Sequence, residues 1–471
     1  MHEVIIIGSG LGGLLCAHIL SKAGMSVLVL ERQQQPGGCM QSYRRGGFNL
    51  DTGLHYVGGL DEGQSLHNVF SHLGLLQLPW QRLDADGFDR ITIGDRTFCY
   101  AEGFGRFADT LASDFPHQQQ ALRTYVDALQ HSTPQQMGIG AWDFLNETFS
   151  DTLLVNVLAG SSLKMELHKP SLSLFAFAHS NASFVESSWR LRGDGNMLVG
   201  KLVDDIRRQG GEVLCKKEVV RLLTNETGAV AVECGDGTRY EARHFISDVH
   251  PAQTLQWLGR VKPVYRRRIC EQPNTIGIFT ASLVLKPHSL RYFNHNRYVY
   301  LRPNVWEVPQ QVDRVMVCCR VPEDGSEYTP QVDLLTPMTW EQCEPWAATS
   351  IGQRGDGYKA MKVQMAEACL QLAERVLPEL PQAVAHCYTS TPLTYRDYTL
   401  TPQGSAFGMR KDYHQPLLTI ISPRTPVPNL LLTGQSLMLH GVHGVTFTAL
   451  HTCAELLGKD YIMQHYETTI N

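Results

Sequence analysis

The alternation of apolar and polar positions along this chain predicts an α/β protein whose first elements are a buried strand, a helix and a second buried strand. Val4-Ile5-Ile6-Ile7 is an unbroken apolar run, Gly8-Ser9-Gly10-Leu11-Gly12-Gly13 follows it directly, and a helical stretch continues to Ala23-Gly24. Residues 25–30 then form the second strand. Behind the turn Pro36-Gly37-Gly38-Cys39, residues 48–56 are expected as a loop, and 62–188 as mainly helical, with amphipathic pieces at 107–115 and 118–129. Residues 195–208 place Met197, Leu198, Leu202, Val203 and Ile206 at helical spacing, and Gly210-Gly211 stops that helix. Residues 212–223 and 229–233 alternate as a hairpin, and Gly235-Asp236-Gly237 turns into a strand at 240–246. Further strands are expected at 279–285, 298–301 and 315–321, and a helix at 359–377 ends before Pro378. A strand at 430–433, a turn at Gly434 and a helix beginning near Gly444 close the pattern.

The junction at residue 8 is the most informative of these. A strand that ends in Gly-x-Gly-x-x-Gly and opens a helix presents free N–H groups and a positive helix end to a pyrophosphate. Gly8 makes the turn, Gly10 admits the phosphates, and Gly13 lets the helix pack close on the strand. Glu31, at the end of the second strand, stands where an acid accepts hydrogen bonds from ribose hydroxyls. The chain is therefore expected to bind a dinucleotide near its N-terminus.

Composition narrows the class. At 471 residues the chain exceeds one core, so two domains are expected, and 43% hydrophobic with 18% charged residues suits a well-packed fold. The formal charge of −5 points away from nucleic acid, although Arg266-Arg267-Arg268 could touch an anionic lipid surface. Twelve cysteines lack Cys-x-x-Cys spacing, so neither a zinc site nor a redox dithiol is expected, and no metal is called for. With no signal peptide or spanning segment in view, the expected place is the cytoplasm, with peripheral membrane contact as an option. No linker divides the chain into halves, so the domains are expected to interleave.

Four blocks together resemble the flavin amine oxidase and phytoene desaturase superfamily, and most closely its retinol saturase and carotenoid isomerase branch. They are the opening unit ending in Glu31-Arg32; Gly37 to Ser42 with Phe48 to Tyr56; Glu218 to Leu222 with Ile246-Ser247-Asp248-Val249-His250-Pro251; and Asn429 to Gln435 with His440 to Thr446. Asp51-Thr-Gly-Leu-His-Tyr56 and Thr391-Pro-Leu-Thr-Tyr395 favour the saturase branch. The resemblance implies a Rossmann-like FAD-binding domain of the glutathione-reductase type, 1–80 with 190–255 and 420–471, interleaved with an α+β substrate domain, 81–189 with 256–419. It further implies that Gly8, Gly10, Leu11, Gly12, Gly13, Glu31, Arg32, Gly38, Cys39, Met40 and Val219 hold the adenosine and pyrophosphate. Gly434, Gln435, Gly444 and Val445 would cover the flavin end. Cys39 departs from the arginine that related oxidases often carry there, which puts that one contact in question.

The implied activity is FAD-dependent saturation or desaturation of carbon–carbon double bonds in an extended polyene or isoprenoid. Flavin-assisted cis–trans isomerisation, amine oxidation, and prenyl-lipid binding without catalysis are the alternatives. Intact Gly8, Gly10, Gly13 and Glu31 count against the last. Flavin carries the hydride chemistry, so no catalytic triad is needed. With no second dinucleotide motif, NAD(P)H would act as an external reductant. His55 and His440 are the candidate proton-moving or flavin-contacting side chains, with His443 behind them. Phe175, Phe177, Phe184, Trp189, Tyr298, Tyr300 and Trp306 are the candidate lining of an apolar tunnel.

Overall fold

The computed structural model describes residues 2–259 and 261–466, and its frame is two seven-stranded sheets. The first runs Glu212–Leu214, Val27–Leu30, His2–Ile7, Arg239–Ser247, Ala229–Cys234, Val219–Thr224, and Leu430–Leu432 adds in parallel to Arg239–Ser247. His2–Ile7 is central and parallel to both neighbours, with Ile6 opposite Val29 on one side and Ile246 on the other. Strands buried on both faces read as continuous Val, Ile and Leu, which is why Val4 to Ile7 carry no polar residue. Helices Leu11–Lys22 and Gly441–Leu457 lie together on one face; the Cys16 thiol meets the Thr433 hydroxyl at 3.7 Å and the Ala449 carbonyl at 3.8 Å.

The second sheet runs Val384–Ser390, Gly277–Leu285, Gln331–Met338, Arg314–Cys319, Asn296–Tyr300, Asp89–Ile93, Arg96–Tyr100. Helices between Phe104 and Glu186 pack on one of its faces, where Phe98, Phe107, Tyr125 and Phe177 share a core. Gly355–Glu374 covers the opposite face through Cys369 and Leu372. A short sheet of Val57–Gly58, Ser188–Leu191 and Trp80–Arg82 stitches the two halves.

Several sequence expectations need correction. Residues 62–188 are not mainly helical throughout: Trp80–Arg82, Asp89–Ile93 and Arg96–Tyr100 are strands, the last two joined by Gly94-Asp95 with Gly94 at φ +61°. Residues 48–56 are not all loop, because Ser42–Arg45 and Phe48–Asp51 pair around Gly46-Gly47, both at positive φ as a tight hairpin turn requires. The expected strand at 212–223 is two strands. Glu212–Leu214 pairs in parallel with Val27–Leu30, and only Val219–Thr224 joins the hairpin. The strands Gln331–Met338 and Val384–Ser390 were not anticipated; Pro337 inside the first argues against a strand by pattern alone.

Candidate functional site

The loop after the first strand is shaped by atoms that leave no room for side chains. Gly8 sits at φ +95°, a conformation that favours glycine. A Cβ on Gly12 would lie 2.5 Å from Asp248 Oδ1 and 3.0 Å from the Gly434 backbone, and one on Gly13 would lie 2.3 Å from the Gly8 carbonyl oxygen. Glu31 closes the other side: its carboxylate accepts from the Ser9 N–H at 3.0 Å, the Ser9 hydroxyl at 2.5 Å and the Gln33 N–H at 2.7 Å. The acid thus holds the loop in shape as well as facing the cavity beside it.

That cavity measures about 340 Å³, inside the range of about 300–1,000 Å³ common for small-molecule sites. Gly8, Gly10, Leu11, Gly12, Glu31 and Arg32 line one end, with Val219 across from them. Gly38, Cys39 and Met40 line its flank, and Gly434, Gln435, Gly444 and Val445 the far wall. Gly13 is the one proposed contact that stays behind the surface, packed on Gly8. Arg32 is turned toward the Asp397 carbonyl and lies 3.7 Å from Glu218. Burial, helped by Asp248, pushes the Cys39 thiol up to about 11, so it stands there as a neutral thiol rather than a cationic phosphate partner. His440 precedes helix Gly441–Leu457, whose first residues Gly441 to Val445 line the cavity, so unpaired N–H groups of the first turn face it.

Asp248 carries no role that the sequence pattern alone assigns. Its carboxyl fills the space beside Gly10, Gly12 and Gly13, within 2.5 Å of where a Cβ on Gly10 would stand. Burial pushes this carboxyl up to about 7, Glu31 pushes it the same way, and the N–H groups of Gly13 and Gly10 pull against them. Near neutral pH a substantial share of it is uncharged, which removes repulsion against a bound phosphate.

Beyond the glycines the cavity opens into a largely apolar chamber with Tyr56, Phe184, Leu163, Ile278, Met316, Leu335, Tyr395 and Phe407 on its walls. Only Phe184 of the expected tunnel aromatics reaches it. Phe177, Tyr298, Tyr300 and Trp306 are core, each at most 3% exposed, and Phe175 and Trp189 also lie outside the lining. His55 and His440 both reach the cavity, as do His179 and His443. His55 Nε2 is buried with no partner, and burial lowers the imidazole despite opposition from Asp333 and Asp51. His440 Nε2 lies 3.1 Å from the Lys164 carbonyl oxygen, and burial lowers it to about 4. His179 falls to about 4 and His443 to about 3 by the same cause, so the chamber presents neutral imidazoles at pH 7. Lys164 also lines the chamber, and sequence reasoning missed it; a lone lysine between Leu163 and Met165 carries no motif. Among the described residues no group of three His, Cys, Asp or Glu could hold a metal ion, and no helix is long and apolar enough to cross a membrane.

The chain resembles known proteins over nearly its whole length. A family model described as an NAD(P)-binding Rossmann-like domain matches residues 6–73. All-trans-retinol 13,14-reductases of Danio rerio and Homo sapiens are each 24% identical across 97% of this chain and 86% of theirs. Prolycopene isomerase 1, chloroplastic, of an Oncidium hybrid cultivar is 22% identical across 98% of this chain and 84% of its own length. Among solved structures, putrescine oxidase bound to putrescine matches 97% of this chain and 99% of its own at a TM-score of 0.65 with 17% identity. An oxidoreductase from Methanosarcina mazei matches 95% and 99% at 0.66 with 16% identity, which shows a shared fold. Relatives matched along nearly the whole chain, a strand-to-helix glycine cradle and this fold converge on one conclusion: the chain is similar from end to end to all-trans-retinol 13,14-reductases and prolycopene isomerases, and opens with a Rossmann-like dinucleotide-binding unit.

Proposed function

We propose that this protein is an FAD-dependent oxidoreductase that adds hydrogen to, or removes it from, carbon–carbon double bonds of an extended polyene or isoprenoid. One observation carries the reading: a single cavity joins the glycine loop and Glu31 to a chamber walled by Leu163, Phe184, Ile278, Met316, Leu335 and Phe407. The residues present fit FAD. Gly10 and Gly12 bring bare backbone to the cavity wall, since Asp248 leaves no room for a Cβ on either; Glu31 offers a carboxylate toward a ribose, and the first turn of Gly441–Leu457 offers N–H donors. When bound, the flavin supplies hydride transfer. The chain itself orients the polyene against apolar walls, excludes water, and keeps His55 and His440 neutral as hydrogen-bonding groups. NAD(P)H as external electron donor belongs to this proposal, as do the domain boundaries given above. All strands of the first sheet fall in 1–80, 190–255 and 420–471, and all strands of the second in the remainder.

The assay is anaerobic incubation of flavin-loaded protein with all-trans-retinol and NADPH, NADH or dithionite, followed by mass analysis. Product two hydrogens heavier supports saturation. A protein that takes up no flavin and changes no polyene refutes the proposal. The prolycopene isomerase relatives favour a second reading, isomerisation, which leaves product mass unchanged while shifting its absorption. Peripheral membrane contact has its own support: Arg268 donates to the Leu417 carbonyl beside exposed Leu417 and Val264, a basic and apolar surface. A cytoplasmic setting remains part of the proposal.

A further inference from the structure

The chamber holds one charged side chain that the cofactor does not require. Charged residues on the cavity wall gather at the adenosine end: Glu31, Arg32, Lys217, Glu218 and Asp248. Lys164 stands apart, on the stretch Ser162–Lys164 that leads into the apolar part. Its Nζ lies 4.0 Å from the Phe184 ring centroid and donates to the Tyr56 hydroxyl at 3.4 Å. Its carbonyl oxygen faces His440 Nε2 at 3.1 Å, which anchors it beside the start of helix Gly441–Leu457. An ammonium in that setting is held by a ring face and one hydroxyl instead of a carboxylate. That is weak compensation for lost water.

Behind Lys164 the hydrogen bonds continue inward without a gap. The Tyr56 hydroxyl donates to Asp89 Oδ2 at 2.9 Å and meets the Tyr298 hydroxyl at 2.9 Å. Asn296 Nδ2 donates to Asp89 Oδ1 at 2.8 Å, and Arg190 donates to Asn296 Oδ1 at 2.5 Å. Asp89 and Tyr298 are fully buried. Tyr56 oxygen thus accepts from Lys164 and Tyr298 while its proton goes to Asp89, using its whole capacity. A buried polar array of this extent is expensive to build for stability alone, where apolar residues would serve. Lys164 and Tyr56 line the chamber, whereas Asp89, Asn296, Arg190 and Tyr298 lie behind them.

We propose that Lys164 is the acid–base residue of the reaction, exchanging a proton with a polyene carbon, and that Tyr56, Asp89 and Tyr298 position it. The proposal rests on the polyene reading above. In the reducing direction one alkene carbon receives hydride from reduced flavin, and the electron pair of the broken π bond takes a proton from the Lys164 ammonium at the adjacent carbon. A neutral amine is left, which solvent reprotonates. An external two-electron donor, such as a reduced nicotinamide, restores the flavin. The groups facing Lys164 suit this exchange. Burial lowers the amine to about 8 while Asp89 pulls upward; Asp89 is itself raised by burial, and the Tyr56 and Tyr298 hydroxyls are held well above their ordinary range. The amine therefore gives up its proton near neutrality, where an exposed lysine would not.

The test compares wild type with Lys164→Met and Tyr56→Phe, all flavin-loaded. Two readouts do not depend on turnover: the flavin spectrum, and the pH midpoint of Lys164 modification by a small amine-reactive reagent, followed by peptide mass. We expect a midpoint near 8 in wild type and a lower one in Tyr56→Phe, which loses the hydroxyl acceptor. Polyene reduction should decline as pH rises through that midpoint. Lys164→Met should slow it by about 10²–10⁴-fold, with flavin still bound and that pH limb gone. An ordinary lysine midpoint, or a Lys164→Met enzyme with wild-type rate and pH limb, overturns the assignment. A wild type that binds flavin but alters no polyene overturns the polyene reading instead, and the labelling midpoint still judges the lysine.

Discussion

Gly13→Ala isolates the close approach of the first helix to the first strand. Gly13 does not line the cavity and its φ is not positive, so added backbone strain is not at issue. Alanine gains about 1 kcal/mol of helix propensity over glycine. Against that gain, the new methyl would stand 2.3 Å from the Gly8 carbonyl oxygen and 3.1 Å from Asp248 Cβ, where ordinary contact begins at 3.4 Å. The shortfall is about 1 Å against the backbone of Gly8, which directly follows a strand paired on both sides and donates its N–H to the Leu30 carbonyl, so repacking is confined to moving the helix. Overpacking of this kind costs about 1–3 kcal/mol, and with no flexible side chain to yield, the upper end applies. The net loss is about 2 kcal/mol. Gly10, Leu11 and Gly12 move with the helix, so flavin affinity should fall at least about tenfold, equivalent to about 1.4 kcal/mol. Gly200→Ala is the control: it also lies within a helix, nothing stands within 4 Å of its Cβ, and it should stabilise by about 0.5–1 kcal/mol. Chemical denaturation of the flavin-free forms and flavin titration read both quantities. A Gly13→Ala protein as stable as Gly200→Ala, with unchanged flavin affinity, would refute the packing argument.

Other predictions follow from charge. Raising pH from about 6 to 9 should weaken flavin binding as the Asp248 carboxyl, held up to about 7, ionises beside the phosphate cradle; Asp248→Asn should bind equally across that range, and a retained pH dependence in the variant would count against the role. His440→Ala should slow flavin reduction or reoxidation with FAD bound, while leaving the profile between about pH 6 and 9 unshifted, because the imidazole lowered to about 4 is neutral throughout; unchanged turnover would end that role. Burial also lowers His18 and His250 to about 4, so the unfolded chain binds more protons between 6.5 and 4 and stability falls with acid. Each contributes a slope of about 1.4 kcal/mol per pH unit there. His250→Asn should reduce the measured slope by about one proton, and an identical slope would contradict the buried neutral state.

The nucleotide half was legible because each element has a local cause. Val4 to Ile7 must be buried, the glycines permit the turn, and Gly210-Gly211 end the helix Gly195–Arg208 where expected. Placement of Gly8, Glu31, Val219 and Gly434 on one cavity followed from motif spacing and resemblance, because nothing local to Gly434 indicates Gly12 as its neighbour. The chamber was much less readable. Tyr298 and Phe177 have the same composition whether they face a cavity or a core, and the side is set by sheet register and helix packing contributed by distant segments. Lys164, Tyr56, Asp89 and Tyr298 meet from four separate stretches, so only tertiary contact reveals them as a group. The hairpin at 89–100 is different: Gly94-Asp95 between alternating residues is a local signal, masked by the amphipathic helical segments that follow it.

The meeting of Cys16 with Thr433, partners 417 residues apart, bears on how the protein comes into being. A ribosome delivers the glycine loop first and its covering wall last, so the nucleotide pocket has no complete form during most of translation. Nascent chains must keep Val4, Ile6 and the inner face of the first helix from sticking elsewhere until Gly441–Leu457 arrives to pack beside them. Prosthetic-group uptake then becomes a late maturation step, and premature termination upstream of residue 430 yields polypeptide that no supply of vitamin can rescue.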